Sequence, residues 1–419
     1  MKPTPINVNS EIGKLNSVIV HLPGAEVENM TPENAERSLY SDILNLSVAL
    51  PEYNGFLNVL KQFATVYEVK DLLADIIKNN EAKGELLGKL CRYYNISKEV
   101  CVYMQQLKPD ELARQLIEGV EMNKNTLTAY FDTEKYSVRP IPNLFFTRDA
   151  SFSIGNKAMI SKMESKVRQH ETFIMETIFN YHPAIKGDPL NLVNEFTESP
   201  KASIEGGDVL VAREDVLIIG NGARSSSQGI DTLVEHFKLK PGTQHIIVQE
   251  LPHKPESFIH LDMTFTFLDV DKAMVYEPLI LGSNRFLTIH ITIDGDKITI
   301  KEEENILSAL RKLKIDLESV PCGGSEDITF MEREQWQSGA NFFTIQPGMV
   351  MGYERNIRTI DAMSQAGFEV ISAEQVVNGE KNPLNYQRAV ITIKGNELSR
   401  GGGGARCMTM PLNRDKVDW

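Results

Sequence analysis

Apolar positions along this chain follow two rhythms, short strand-like runs and stripes at three- and four-residue spacing. Ser17-Val18-Ile19-Val20-His21 predicts a strand, and Phe56, Leu57, Leu60 and Phe63 predict a helix after it. Thr65-Val66-Tyr67-Glu68-Val69 predicts a second strand, which completes an α/β unit. From 71 to 135 the pattern turns helical. Leu72, Leu73, Ile76 and Ile77 form one stripe, Leu86, Leu87 and Leu90 another, and Leu112, Leu116, Ile117 and Val120 a third. Lys108-Pro109-Asp110-Glu111 opens the third stripe with proline and acids, which suit a helix start. This stretch reads as an inserted helical subdomain.

After Ile141 the α/β rhythm returns. Met163 to Phe179 and Thr232 to Leu239 predict helices, as do Ile306, Leu307, Leu310 and Leu313. Val209–Val211, Val216–Ile219, His245–Val248, Ile298–Ile300, Met349–Met351 and Val390–Ile393 predict strands. Ser257 to Phe265 also reads as a strand, which would set His260 and Asp262 on one face and Ile259 and Leu261 on the other. The fold class expected is α/β, with no convincing sequence repeat.

Composition narrows the function. A chain of 419 residues with 42% hydrophobic content can bury a large core. A net charge of −13 argues against a general nucleic-acid or anionic-membrane binder and suits a cationic ligand. The first ten residues hold no apolar h-region, and no apolar run reaches the ~20 residues of a membrane helix. The compartment expected is the cytoplasm. The histidines show no zinc spacing, no Cys-x-x-Cys occurs, and the run Gly401–Gly404 lacks a following Gly-Lys-Ser/Thr. No metal or organic cofactor is expected. The chain has four cysteines, Cys91, Cys101, Cys322 and Cys407, read as free thiols in a reducing compartment.

Candidate chemistry lies in four polar clusters, each attached to an apolar run. Cys407 follows the glycine run near the C-terminus, His260 and Asp262 form a His-x-Asp, Glu205 and Asp208 bracket two glycines, and Asn143 to Asp149 follows two prolines. Each alone has an ordinary reading: a loop cysteine, a packing histidine, an exposed carboxylate, or a turn cap for Asp208. Together they suggest loops that bring a thiol, an imidazole and carboxylates to one site.

The ordered stretches Asn143-Leu-Phe-Phe-Thr-Arg-Asp149, Glu205-Gly-Gly-Asp208, His260-Leu-Asp262 and Arg406-Cys407-Met-Thr-Met-Pro411 resemble those of the arginine deiminase family, in the guanidino-group modifying superfamily. Glu11-Ile-Gly-Lys-Leu15, Cys322-Gly-Gly324 and Gly339-Ala-Asn341 fit the same family. The resemblance implies a single catalytic domain over 1–419, a five-module α/β propeller of ββαβ units, with the helical insertion at 71–135. It implies hydrolysis of free L-arginine to L-citrulline and ammonia through a covalent thiouronium on Cys407. In that scheme His260 protonates the leaving nitrogen, Glu205 holds the imidazolium, and Asp149 and Asp262 each bind the guanidinium in bidentate fashion. Arg168 and Arg224 match carboxylate-binding arginines, Asn143 the α-amino contact and Phe146 the packing against the methylene stem, with Asp208 also at the substrate. The implied partner is a small molecule, not nucleic acid or membrane, and a homo-oligomer is left open.

Some positions depart from the family pattern. Gly402 stands where many members carry a further arginine, Ala150 follows Asp149, Ala223 precedes Arg224, and Glu52-Tyr53-Asn54 replaces Glu-His-Asp. Rival readings are the same machinery on citrulline, agmatine or a methylated arginine, amidino transfer, a silent arginine-binding protein, and a cysteine protease. Arg168 and Arg224 argue against agmatine, and the paired acids argue against neutral citrulline and against a protease.

Overall fold

A computed structural model describes residues 3–31, 35–40, 42–192 and 201–419. Five sheets share one connection scheme, in which a strand pairs antiparallel with its neighbour and that neighbour pairs parallel with the next strand. In chain order the neighbours are Leu15–Val20, Lys157–Ile160, Val216–Asn221, Lys272–Val275 and Met349–Tyr353. Helices supply the crossovers that parallel pairing demands. Leu46–Phe63 connects Leu15–Val20 to Thr65–Glu68, and Ser227–Phe237 connects Val216–Asn221 to Gln244–Glu250.

The two ends of the chain meet in one sheet. Met410–Arg414 pairs antiparallel with Leu15–Val20, with Met410 opposite Ile19 and Pro411 opposite Val18. Cys407 therefore lies near Leu15–Val20 although it is close to the far end of the chain. Helices Val69–Ile77, Asn80–Tyr93, Lys98–Gln106 and Pro109–Glu118 follow the first crossover. They bury Leu72, Leu87, Leu90, Leu112 and Leu116 in one apolar cluster with Ile174 and Ile178 of helix Gln169–Tyr181.

Three expectations are corrected. Cys91 and Cys101 form a disulfide between helices Asn80–Tyr93 and Lys98–Gln106, and Cys322 and Cys407 are free and buried. The short turn between the helices brings the two Cα atoms to 6.3 Å, within bridging range. Ser257–Phe265 is not a strand. It forms two 3-10 turns, Glu256–Phe258 and Leu261–Met263, and a strand begins only at Phe265–Phe267. The amide of Leu261 donates to the Asp208 carboxylate at 2.9 Å, so a buried side chain takes the donor that a ladder would use. The helix expected from Met163 begins later, with a 3-10 turn Lys166–Arg168 leading into Gln169–Tyr181. Strand Thr288–Asp294, not expected from the sequence, pairs with Gln244–Glu250 and Lys297–Glu303. Among the described residues, no helix is long and apolar enough to cross a membrane.

Candidate active site

The chemistry-bearing residues occupy one kind of place. Asp149, Glu205, His260 and Cys407 each lie two to five residues before the first strand of a sheet, namely Ser151–Ile154, Val209–Arg213, Phe265–Phe267 and Met410–Arg414. The turns before these strands converge, and all four side chains are at most 3% exposed.

His260 Nε2 lies 3.0 Å from Glu205 Oε2, and Nδ1 lies 3.6 Å from Asp149 Oδ1. Burial opposes the charged ring. The charge of Asp149 and the hydrogen bond to Glu205 outweigh it, with help from Asp208, and raise the His260 pKa to about 9. The imidazole is thus a cation at neutral pH. Burial works against the ionised forms of Glu205 and Asp149 too, but nearby cations win, and both pKa values fall below the ordinary range. Close approach makes Gly207 necessary: a Cβ there would stand 2.5 Å from the His260 ring and 2.9 Å from Asp149 Oδ1.

Cys407 Sγ lies 3.6 Å from Asp262 Oδ2 and 3.8 Å from Oδ1. Burial, then the charges of Asp262 and Asp149, push its thiol well above the usual range. Arg406 faces inward. Its guanidinium bonds Asp262 Oδ2 at 2.8 Å and both oxygens of Glu11 at 3.0 and 3.1 Å. Burial resists the charge on Glu11, but Arg406 and Arg148 hold its carboxyl down at about 2.

The loop carrying Cys407 is pinned along its length. Glu52 accepts the amides of Asn396, Glu397 and Leu398 at the start of the 3-10 turn Leu398–Gly401. The Tyr353 hydroxyl donates to the Gly403 carbonyl at 3.0 Å. Asn341 accepts the amides of Arg406 and Cys407. Phe146 packs under the glycines, where a Cβ on Gly403 would stand 2.5 Å from its ring. Asn341, Glu11 and Glu52 were absent from the candidate set. Neutral or distant in sequence, they carried no signal beyond their place in family-like stretches.

Substrate-binding candidates divide. Arg224 lines a cavity of about 370 Å³ with Tyr40, Ile259, Trp336, Arg400 and Gly402. Arg400 sits at its rim and bonds Asp42 at 2.9 Å. Arg168 is buried, and its guanidinium bonds Asp149 Oδ2 at 2.6 Å and both oxygens of Glu171 at 3.0 and 2.8 Å. Its charge is therefore spent inside the protein. Asn143 donates to the Ser38 carbonyl at 2.8 Å and accepts from Arg168 through its own carbonyl. Asp208 is fully buried, and Oδ1 holds the Leu261 amide. Burial, the largest influence, raises its pKa to about 7. Asp208 was expected at the substrate; the structure sets it beneath the His260 turn, with Oδ1 on the Leu261 amide.

This is a thiol and an imidazolium among carboxylates, two of which bond arginines, and Ile259 and Met263 beside them line a cavity with Arg224 in its wall. The arginine deiminase profile matches residues 37–414. The chain belongs to the arginine deiminase family. It is 33% identical over 433 residues to the arginine deiminase of Borrelia garinii subsp. bavariensis, covering 99% of this chain and 98% of that one. It is 32% identical over 432 residues to that of Latilactobacillus sakei, covering 99% and 100%. Among solved structures, the fold is similar to SxtG, an amidinotransferase from Microseira wollei, with TM-score 0.56 and 13% identity over 99% of this chain and 98% of that one. It is also similar to the product-bound N-terminal domain of ArgZ, an arginine dihydrolase from cyanobacteria, with TM-score 0.52 and 14% identity over 95% and 97%. These likenesses show a mixed α/β fold of the same kind.

Proposed function

We propose that this protein hydrolyses free L-arginine to L-citrulline and ammonia. The observation that carries the reading is the placement of Cys407 Sγ beside Asp262 while His260, held cationic by Glu205, faces Asp149. Asp149 and Asp262 each spend one oxygen on an internal arginine, Arg168 and Arg406. Asp149 Oδ1 is buried with no hydrogen-bond partner among the described residues, and Asp262 Oδ1 faces the sulfur. The guanidinium of substrate then takes one oxygen from each acid rather than a bidentate pair from both.

Its charge offsets the two carboxylates that suppress ionisation of Cys407, and the thiol loses its proton to water. The thiolate attacks the guanidinium carbon. His260 Nδ1–H protonates the departing nitrogen, the C–N bond breaks and ammonia leaves. His260, now neutral, takes a proton from water, which adds to the thiouronium carbon. The new hydroxyl gives its proton to the departing sulfur as the C–S bond breaks, which restores the Cys407 thiol and releases citrulline. Arg224 pairs with the substrate carboxylate from the cavity wall, and Phe146 lies under the loop against the stem. Arg168 orients Asp149 and Asp208 holds the His260 turn.

The turns that carry these residues begin similar sheets, which supports a single domain over 1–419 built as a five-module α/β propeller, with residues 71–135 as a helical insertion. Ammonia release from a panel of L-arginine, agmatine, citrulline and methylated arginine tests the reading. L-arginine is expected to be turned over, and Cys407→Ala to abolish turnover. Arg224→Ala should cut kcat/KM for L-arginine by the ~2–5 kcal/mol of a lost buried charge partner and leave that for agmatine little changed. Equal losses on both compounds would remove Arg224 as the carboxylate receiver.

A further inference from the structure

We propose that Asn341 is a catalytic group of this site, the amide donor that stabilises the Cys407 thiolate as it forms. The inference rests on the reading of Cys407 as nucleophile. Four of the five similar sheets are preceded by a turn that supplies Asp149, Glu205, His260 or Cys407. The turn before the remaining one supplies Asn341, two residues ahead of strand Phe343–Gln346. Its side chain is 1% exposed.

The hydrogen bonds fix which end of the amide is which. Oδ1 receives the backbone N–H groups of Arg406 at 2.9 Å and Cys407 at 3.2 Å, and neither can accept. Nδ2 donates to the carbonyl of Asp262 at 3.1 Å, which cannot donate. That leaves its second hydrogen for Cys407 Sγ at 3.2 Å, with Met263 Sδ farther away at 3.7 Å. A hydrogen bond to an anion is roughly twice as strong as one between neutral groups, so this donor favours the ionised sulfur.

The other influences on the sulfur come from several turns. Asp262 and Asp149 oppose ionisation, Arg406 favours it, and the Gly404 backbone favours it as well. Asn341 adds a donor that carries no charge and so does not repel the incoming cationic substrate. Close packing keeps it in place, since a Cβ on Gly404 would stand 2.7 Å from Asn341 Cβ.

A purely structural tie would use only the Oδ1 half of the side chain. Asn341→Asp keeps an oxygen for the Arg406 and Cys407 amides and removes the donor to sulfur. The readouts are kcat and KM for L-arginine, and the pH dependence of Cys407 alkylation by iodoacetamide, followed on its peptide by mass spectrometry. We expect kcat to fall ~10²-fold, as when a donor to an anion is removed, with little change in KM. The alkylation midpoint should move up by about one pH unit. Aspartate also adds a charge that raises the midpoint by itself, so Asn341→Ser, neutral and too short to reach the sulfur, is the deciding variant and should shift the midpoint the same way. An unshifted midpoint in Asn341→Ser overturns the proposal, whatever happens to rate or melting temperature. Turnover by Cys407→Ala would instead overturn the nucleophile reading beneath it.

Discussion

At the scale of single residues, charge and close approach decide what each group does. His260 is a cation because two carboxylates, Glu205 and Asp149, face its two nitrogens and overcome burial. Its pKa of about 9 lies above the ordinary value, so the protonated acid that the proposed chemistry calls for is present at neutral pH and lost as pH rises through about 9. A basic limb in the kcat profile near that pH is expected, and His260→Gln should remove it while lowering the rate ~10²–10⁴-fold. A retained limb in the variant would assign it to another group. Cys407, His260, Glu205, Asp149 and Asp262 stood out in the sequence as polar clusters attached to apolar runs, and the fold brings these side chains together. Arg168 was not legible in the same way. Its charge alone suggests a ligand for carboxylate, and only the fold reveals that it pairs with Asp149 and Glu171.

Elements place these residues, and their ends are where local pattern and tertiary structure part company. The helix Leu46–Phe63 was legible because its apolar stripe faces a core. The turn at His260 was misread because alternating polarity cannot reveal that Asp208, far away in sequence, captures the Leu261 amide. Strand pairing across the chain ends is likewise nonlocal, and the pairing of Met410–Arg414 with Leu15–Val20 has no sequence signature. His21, just past Leu15–Val20, ties three such ends together. Its ring lies 2.7 Å from Glu68, the last residue of Thr65–Glu68, and 3.3 Å from Glu26 in helix Ala25–Glu28. Burial disfavours the charged ring, but the charge of Glu68 and the hydrogen bond to Glu26 raise its pKa to about 10. A raised histidine pKa stabilises the fold fully below the unfolded value near 6.5 and loses that contribution as pH rises through the folded value. His21→Gln should therefore be less stable than wild type at pH 6, and the gap should narrow towards pH 10. Urea midpoints measured across that range check this, and a constant gap would mean that the ring acts by packing alone.

For the whole molecule, the decisive feature is that the site belongs to no single sheet. Glu205, His260, Asp149, Asn341 and Cys407 come from turns before five different strands, and the strand after Cys407 closes against Leu15–Val20 near the start of the chain. A ligand bound among them would touch the turns of all five similar sheets at once. Binding free energy to the native state alone then adds to the stability of the entire chain rather than to one region. Cys407→Ala, which keeps Asp149, Asp262 and Arg224 but cannot form the covalent adduct, allows the measurement without turnover. L-arginine at a hundred times its Kd should raise the unfolding free energy of this variant by ~2.7 kcal/mol, and the denaturation curve should move as one transition. Agmatine at the same concentration should stabilise less, because it brings the guanidinium but no carboxylate for Arg224. A curve that splits, with one phase shifted and another unmoved, would place the ligand on a part of the molecule that unfolds independently of the rest. That outcome is incompatible with a site assembled from all five turns.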